Sequence, residues 1–300
     1  MQVNSNIVPD ILAAINQSQT ALNTATEQLA TGKSVNAPSD NPTASAQMVQ
    51  NIIETGDVDQ YTQNVSSVLS TVQTASSILS SVSSSLAQAV SLGTEGANGT
   101  ASTADLQSLA TQVQGILTSV VSQANTSFAG SYLFGGTASS APPYTADSMS
   151  ASGYTYNGND DTNSVAIGDD RTIQANIPGS QIFSNSGNSV LGALSSLVTA
   201  LQSGNASSIS TATAAVSSAA SLISQQQAFY GNAEDQLNAQ DTALQQDTVT
   251  LASQATSLIG ISTATAATNL TQAETDNSAA LAAAAKVMPD TLLNYLSTPS

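Results

Sequence analysis

Residues 28–47 read QLATGKSVNAPSDNPTASAQ. They interrupt what is otherwise a long helical pattern near the start of the chain. They hold Pro38 and Pro42, and also Lys33, one of only three basic residues in 300. Gly32 follows Ala30 and Thr31 as a helix-terminating glycine would, because glycine reaches positive φ without a Cβ penalty. Lys33 then sits at the negative end of a helix dipole, where a cation has a dipole or interface role. Asn36, Ala37 and Pro38 cannot continue the helix. Ser39 or Asp40 is placed to cap a following helix, with Pro42 in its first turn. The stretch predicts a helix, a deliberate break, and a second helix.

Outward from the break, the prolines divide the chain. None occurs between Pro42 and Pro142, and none between Pro178 and Pro289. Long helices fit such blocks. Val65, Val72, Leu79 and Leu86 recur every seven residues, with Val68, Ala75, Val82 and Ala89 three positions later. That is an a/d seam. Leu106, Val113 and Val120, with Leu109 and Ile116, make a second. Leu237, Leu244, Leu251 and Leu258 make a third. Ile209, Ala212, Val216, Ala219 and Ile223 suggest a further helix. These strict positions read as core first.

The two chain ends carry matching stripes. Val8, Ile15, Leu22 and Leu29, with Ile11 and Ala25, mark an N-terminal helix. Leu281, Met288 and Tyr295, beside Leu270 and Leu292, mark a C-terminal one. The ends are therefore expected to pair. A helix of ~25 residues spans roughly 37 Å.

The middle differs. Seven of the eleven aromatics fall between residues 128 and 183. Strand-like runs at 154–156, 164–167 and 171–175 are separated by turn chemistry in NGNDD (157–161) and GDD (168–170). The fold class expected is mainly α: a long antiparallel helical bundle or coiled coil built from both chain ends, with a small inserted β domain. The expected division is 1–42 with 262–300, a terminal helical domain; 43–129 with 184–261, a helical bundle; and 130–183, the β insertion.

Composition excludes several functions. Twenty acidic residues against three basic give a net charge of −17. That argues against nucleic acid and anionic membranes, which both require clustered cations. With no cysteine and no histidine, there is no disulfide, no thiol nucleophile, no Cys/His zinc site and no triad with a histidine base. No run reaches the ~18 apolar residues of a membrane span, and the first residues lack the pattern of a cleaved secretory signal. Charged residues are only 8% of the chain. A polar surface so poor in charge suits dense packing against neighbours better than free solution.

Other constellations read as ordinary turns. NGNDDTN (157–163) has the oxygen density of a calcium loop but lacks the glycine and terminal glutamate of an EF-hand. Asp160–Asp161 and Asp169–Asp170 are paired carboxylates without the aromatic-lined cleft of a glycosidase. Arg171 sits at a hairpin turn, where local pairing or solvation is expected. No catalytic residue, metal site or cofactor is expected.

The stretch LATGKSVNAPSDNP (29–42) resembles a conserved segment of the flagellin superfamily, and its Pro-Ser-Asp-Asn-Pro form is most similar to the hook-associated protein 3 family, the hook–filament junction proteins. GSYLFGGT (130–137) resembles that family's lead into its inserted domain. YNGND (156–160), IGDDRT (167–172) and PGSQIF (178–183) resemble its hairpin region, and LTQAE (270–274) and TLLNYL (291–296) its C-terminus. Ser34 departs from the family, which carries a basic residue there. The resemblance implies a secreted, non-enzymatic axial subunit of the bacterial flagellum, exported unfolded through the flagellar type III apparatus. It implies a homo-oligomer in a ring or helical lattice, with the first hook-associated protein on the hook side, flagellin on the filament side, and an export chaperone. Assembly candidates are Ile11, Ile15, Leu22, Leu29, Gly32, Lys33, Asn36, Pro38, Asp40, Pro42, Leu270, Leu281, Met288, Leu292 and Tyr295. The rival readings are flagellin itself and a secreted coiled-coil effector or translocator.

Overall fold

The computed structural model describes the backbone of residues 7–184 and 189–296, and side chains of 9–184 and 189–286. Helices α1 (Ile7–Thr31) and α2 (Pro42–Ala97) flank the predicted break. Helix α3 (Thr103–Ala124) follows. Six short strands come next: β1 (Ser127–Phe128), β2 (Ser131–Tyr132), β3 (Tyr144–Ala146), β4 (Tyr154–Tyr156), β5 (Ser164–Gly168) and β6 (Arg171–Gln174). Then come α4 (Gly179–Ile182), α5 (Val190–Ser203), α6 (Ala206–Ile259) and α7 (Thr263–Leu296). The contacts of the chain fall into two units, Met1–Asp57 with Gln246–Ser300, and Val58–Gln245.

The second unit is a helical bundle that carries the β segment. The heptad residues of α2 from Val65 to Ala89 are all buried, as are Leu106, Leu109, Val113, Ile116 and Val120 of α3. The two leucine and isoleucine patterns read separately after residue 205 belong to one helix. In α6, Ile209, Val216, Ala219 and Ile223 pass without interruption through Tyr230 and Ala233 to Leu237 and Leu244, all buried. By length and hydropathy α6 alone among the described helices could cross a membrane, which the sequence reading did not anticipate. Its seam residues from Ile209 to Leu244 are instead part of the core of the bundle.

Helix α5, not foreseen as a separate element, starts on a side-chain cap, Ser189 Oγ accepting from Gly192 N, and ends at Gly204 with φ of 72°. It packs against α3 and buries Leu194, Leu197 and Leu201. Glycine lets α2 approach this layer. A Cβ on Gly93 would sit 2.2 Å from Thr213 Oγ1 and 3.2 Å from Leu197 Cδ1. Thr213 is fixed there, its hydroxyl donating to the Ile209 carbonyl at 2.7 Å. Gly93→Ala gains about 1 kcal/mol of helix propensity but overpacks a filled site at about 1–3 kcal/mol. The expected result is a net destabilisation of up to about 2 kcal/mol, read as a lower urea midpoint with an unchanged slope.

The β segment is not one sheet. It is three separate antiparallel ladders, β1–β2, β3–β4 and β5–β6. The three predicted runs are β4, β5 and β6, but β4 pairs with β3 and not forward with β5. β1, β2 and β3, of two or three residues each, are too short to leave a period in the sequence. Aromatics hold the segment together. Phe134 and Phe183 are fully buried and meet edge to face at 5.3 Å, and Tyr144 packs on Phe183 at 5.9 Å. The Tyr230 hydroxyl on α6 accepts the Ile177 amide at 3.2 Å, and burial pushes that phenol up to about 12.

In NGNDDTN the side chains of Asn159, Asp160 and Asp161 bond within the chain. Asn159 Oδ1 accepts the Thr137 amide at 2.7 Å, its Nδ2 donates to Asp161 at 2.9 Å, and Asp160 accepts from Ser180 Oγ.

Candidate assembly site

In the first unit, α1 and α7 lie antiparallel and in contact. Ile11, Ile15, Ser18, Leu22, Ala25 and Leu29 of α1 form an unbroken a/d seam of buried and half-buried positions. On α7 the matching seam is Ala266, Leu270, Ala273, Asn277, Ala280 and Ala284. One layer is polar: Ser18 Oγ lies 3.1 Å from Asn277 Oδ1. A polar layer fixes register at a cost in stability. Leu281 is a correction to the sequence stripe. It stands one residue off the seam and is 47% exposed. The side chains of Val8, Met288, Leu292 and Tyr295 lie outside the described residues.

At the base of this pair, two helix breaks are joined. Gly32 takes φ of 69°, and its amide donates to Gln28 O at 2.9 Å. Lys33 forms an antiparallel bridge with Gly260, in the gap between α6 and α7. The Ser34 amide donates to Ile259 O at 2.6 Å and its hydroxyl to the same oxygen at 3.0 Å. Ile261 N donates back to Gly32 O at 3.1 Å. Ser34, where the resembled family carries a basic residue, thus caps the last turn of α6. Lys33 is exposed beside it.

The loop then folds on Asp40, whose carboxylate accepts the amides of Ala37 at 2.9 Å and Asn36 at 3.0 Å. Those two bonds, Ala37 first, hold its carboxyl below the usual carboxylate range. Asp40 is not the cap of α2. Asn41 is, its Oδ1 accepting the Ala44 amide at 3.1 Å, with Pro42 as the first helical residue. Asn41 reaches the N3 amide, while Asp40 turns back to Asn36 and Ala37 across a turn over Pro38 and Ser39, closed by the Asp40 amide donating to Ala37 O at 3.0 Å.

Asp40→Ala is expected to leave the Asn36 and Ala37 amides without their acceptor and to speed their hydrogen exchange selectively. In the native chain the same bonds are present above the ordinary aspartate pKa. They are lost as pH falls through the depressed folded value, so protection at these amides should persist through the ordinary aspartate range and fall only below it.

The sequence located Gly32, Lys33, Asn36, Pro38, Asp40 and Pro42 in one joint, and Ile11, Ile15, Leu22, Leu29 and Leu270 on one seam. It missed the second half of the joint, 259–261. Two signals were there to be read: Gly260 two residues after the last heptad leucine, Leu258, and Ser262, whose hydroxyl caps α7 through the Thr265 amide at 3.1 Å.

This unit leaves apolar groups uncovered. Leu12, Val49, Ile52, Ile53, Val249 and Leu281 are each 47–70% exposed, and Met149 is the only large exposed hydrophobic of the described residues that lies elsewhere. Beside the terminal pair runs an open groove of about 600 Å³, floored by Ala21, Ala25 and Ala273 and rimmed by Gln17, Gln28 and Gln272. Single exposed hydrophobics are common, but Val49, Ile52 and Ile53 share one face of α2 by their spacing, and contiguous apolar surface is what interaction sites present.

The fold is mainly α, with a helical pair made from the two chain ends, a break at 32–41 and a small β segment set between bundle helices. Residues 3–139 match the family described as the bacterial flagellin N-terminal helical region, so the chain carries that region. The fold of the chain is that of hook-associated proteins. A flagellar hook-associated protein from Vibrio parahaemolyticus superposes with a TM-score of 0.67 at 21% identity, over 73% of this chain and 99% of that one. FlgL of Bacillus cereus gives 0.60 at 21%, over 69% and 99%. The flagellar junction protein FlgL of Legionella pneumophila gives 0.61 at 15%, over 71% and 100%. No curated protein matches by sequence.

Proposed function

We propose that the chain is a structural subunit of the bacterial flagellum, exported and seated at the hook–filament junction. It acts by assembly and not by catalysis. The observation that carries this is the uncovered apolar surface on the unit made from both chain ends, in a chain with a flagellin N-terminal region and a fold shared with proteins named for the hook and the junction. Copies pack in a ring or helical lattice through heterologous contacts, the type that builds rings and filaments. The first hook-associated protein is the partner on the hook side, flagellin the partner on the filament side, and an export chaperone holds the chain before secretion. In this reading 1–42 with 262–300 forms an inner tube, 43–129 with 184–261 the layer outside it, and 130–183 the exterior.

The seam supports a division of labour. Alanine fills four of its six α7 positions. At ~25 cal/mol per Å² of apolar surface, two thin helices so joined are marginal alone and gain their stability from neighbours.

Immunogold labelling of intact flagella, with antibody to residues 130–183, tests the proposal. One patch at the hook–filament boundary is expected. Label along the whole filament would make the chain a flagellin, and absence of label from flagella would leave the secreted coiled-coil reading.

A further inference from the structure

Arg171 is the only base in the unit Val58–Gln245, against eleven carboxylates. The chain positions it with care. It follows a two-residue turn in which Asp170 takes φ of 54°, and the β5–β6 register shifts between Ala166 and Gly168. Its Nη1 donates to Gln240 Oε1 at 3.0 Å. Gln240 is 8% exposed and occupies a seam position of α6. Gly168 leaves that amide its room: a Cβ there would lie 3.2 Å from Gln240 Nε2.

The guanidinium edges an open recess of about 550 Å³ walled by Ile167, Asp170, Thr172, Gln236, Ala239 and Ala243. Asp170 precedes Arg171 and Asp241 follows Gln240, yet among the described residues the bond Arg171 makes is to the neutral amide. A guanidinium has five N–H donors in a planar fork, and a neutral partner leaves its charge uncompensated. Two parallel bonds to a carboxylate are the interaction that this fork fits best.

We propose that Arg171 and its recess form a receptor for a carboxylate side chain of a second copy of the chain. The choice of a second copy rests on the reading of the chain as a lattice-forming subunit, and charge supports it. Copies carrying −17 each repel. One preformed cation per unit, set into a recess, relieves that repulsion at a single place and fixes the register in which copies meet.

The test uses the full-length Arg171→Lys chain, mixed in equal parts from ¹⁴N- and ¹⁵N-labelled preparations at high concentration. It is treated with a carbodiimide that joins amine to carboxylate at zero length. Mixed-isotope peptides linking position 171 to an aspartate or glutamate are expected, with a yield that falls as salt rises. Arg171→Gln should weaken self-association in sedimentation velocity at least tenfold, with helix content and melting unchanged. Links only within one chain, no links at position 171, or unchanged association in Arg171→Gln would overturn the proposal. So would calorimetric binding of inorganic phosphate that depends on Arg171 in the absence of mixed links, which would make the recess a free-anion site. Junction labelling with failed links would sink this inference alone, and labelling that fails would sink the lattice reading itself.

Discussion

Ala25→Asp is expected to unfold the terminal helix pair and abolish assembly, while Thr26→Asp, one residue away, does neither. Both substitutions place a carboxylate in the last two turns of α1, where the helix dipole disfavours it to the same degree. They differ in burial. Ala25 is 5% exposed on the seam, and Thr26 is exposed. An aspartate is too short to carry its charge from the seam to water. Its burial without a partner costs at least ~3 kcal/mol, set against a seam whose α7 side is mostly alanine and which includes the polar Ser18–Asn277 layer. Amide exchange reads the result directly. Protection along α1 should fall to unfolded-chain values, while the helices of 58–245 keep theirs. Assembly is read by complementation of motility in a strain lacking the protein. Equal loss from both variants would mean that added charge, and not the seam, is the cause.

The reach of the sequence is uneven, for physical reasons. The bundle was legible because strict heptads of Val and Leu mean one thing: within 58–245 each of those positions is buried. The break at 32–41 was legible because Gly32, Pro38 and Pro42 each forbid a continuous helix. The α7 seam was misplaced because alanine carries it. Ala266, Ala273 and Ala284 are buried, but in a chain this rich in alanine they do not stand out from exposed ones. Leu281 drew attention by size and lies on the outside. Ser39, Asp40 and Asn41 are all good caps, and only the backbone path decides that Asn41 takes the role. The β segment was located by its aromatics, but its pairing was not. Strands of two or three residues are fixed by their neighbours, and their own pattern does not specify register.

Phe134→Ala is expected to lower the stability of the whole unit Val58–Gln245, not of the β segment alone. Deletion of a fully buried phenylalanine costs about 3–5 kcal/mol. Phe134 is without exposed surface, and its carbonyl also accepts the Gly179 amide at 2.8 Å and the Tyr156 hydroxyl at 3.0 Å. The buried residues of the β segment, among them Leu133, Phe134, Tyr144, Ile167 and Ile173, run without a gap into those of α3, α5 and α6. One continuous core should lose its stability as one. The urea midpoint of the helical circular dichroism should therefore fall together with that of tyrosine fluorescence. Separate midpoints, with the helices unmoved, would make 130–183 an autonomous domain. Alkaline titration offers a second reading of the same core. Burial raises the phenols of Tyr144 and Tyr230 above their ordinary value of 10.0. The neutral form is the one that the fold keeps, so stability is intact below that value and is lost as pH rises past it. Phe134→Ala leaves less stability to be lost in this way, so the onset of alkaline unfolding should move to lower pH in the variant.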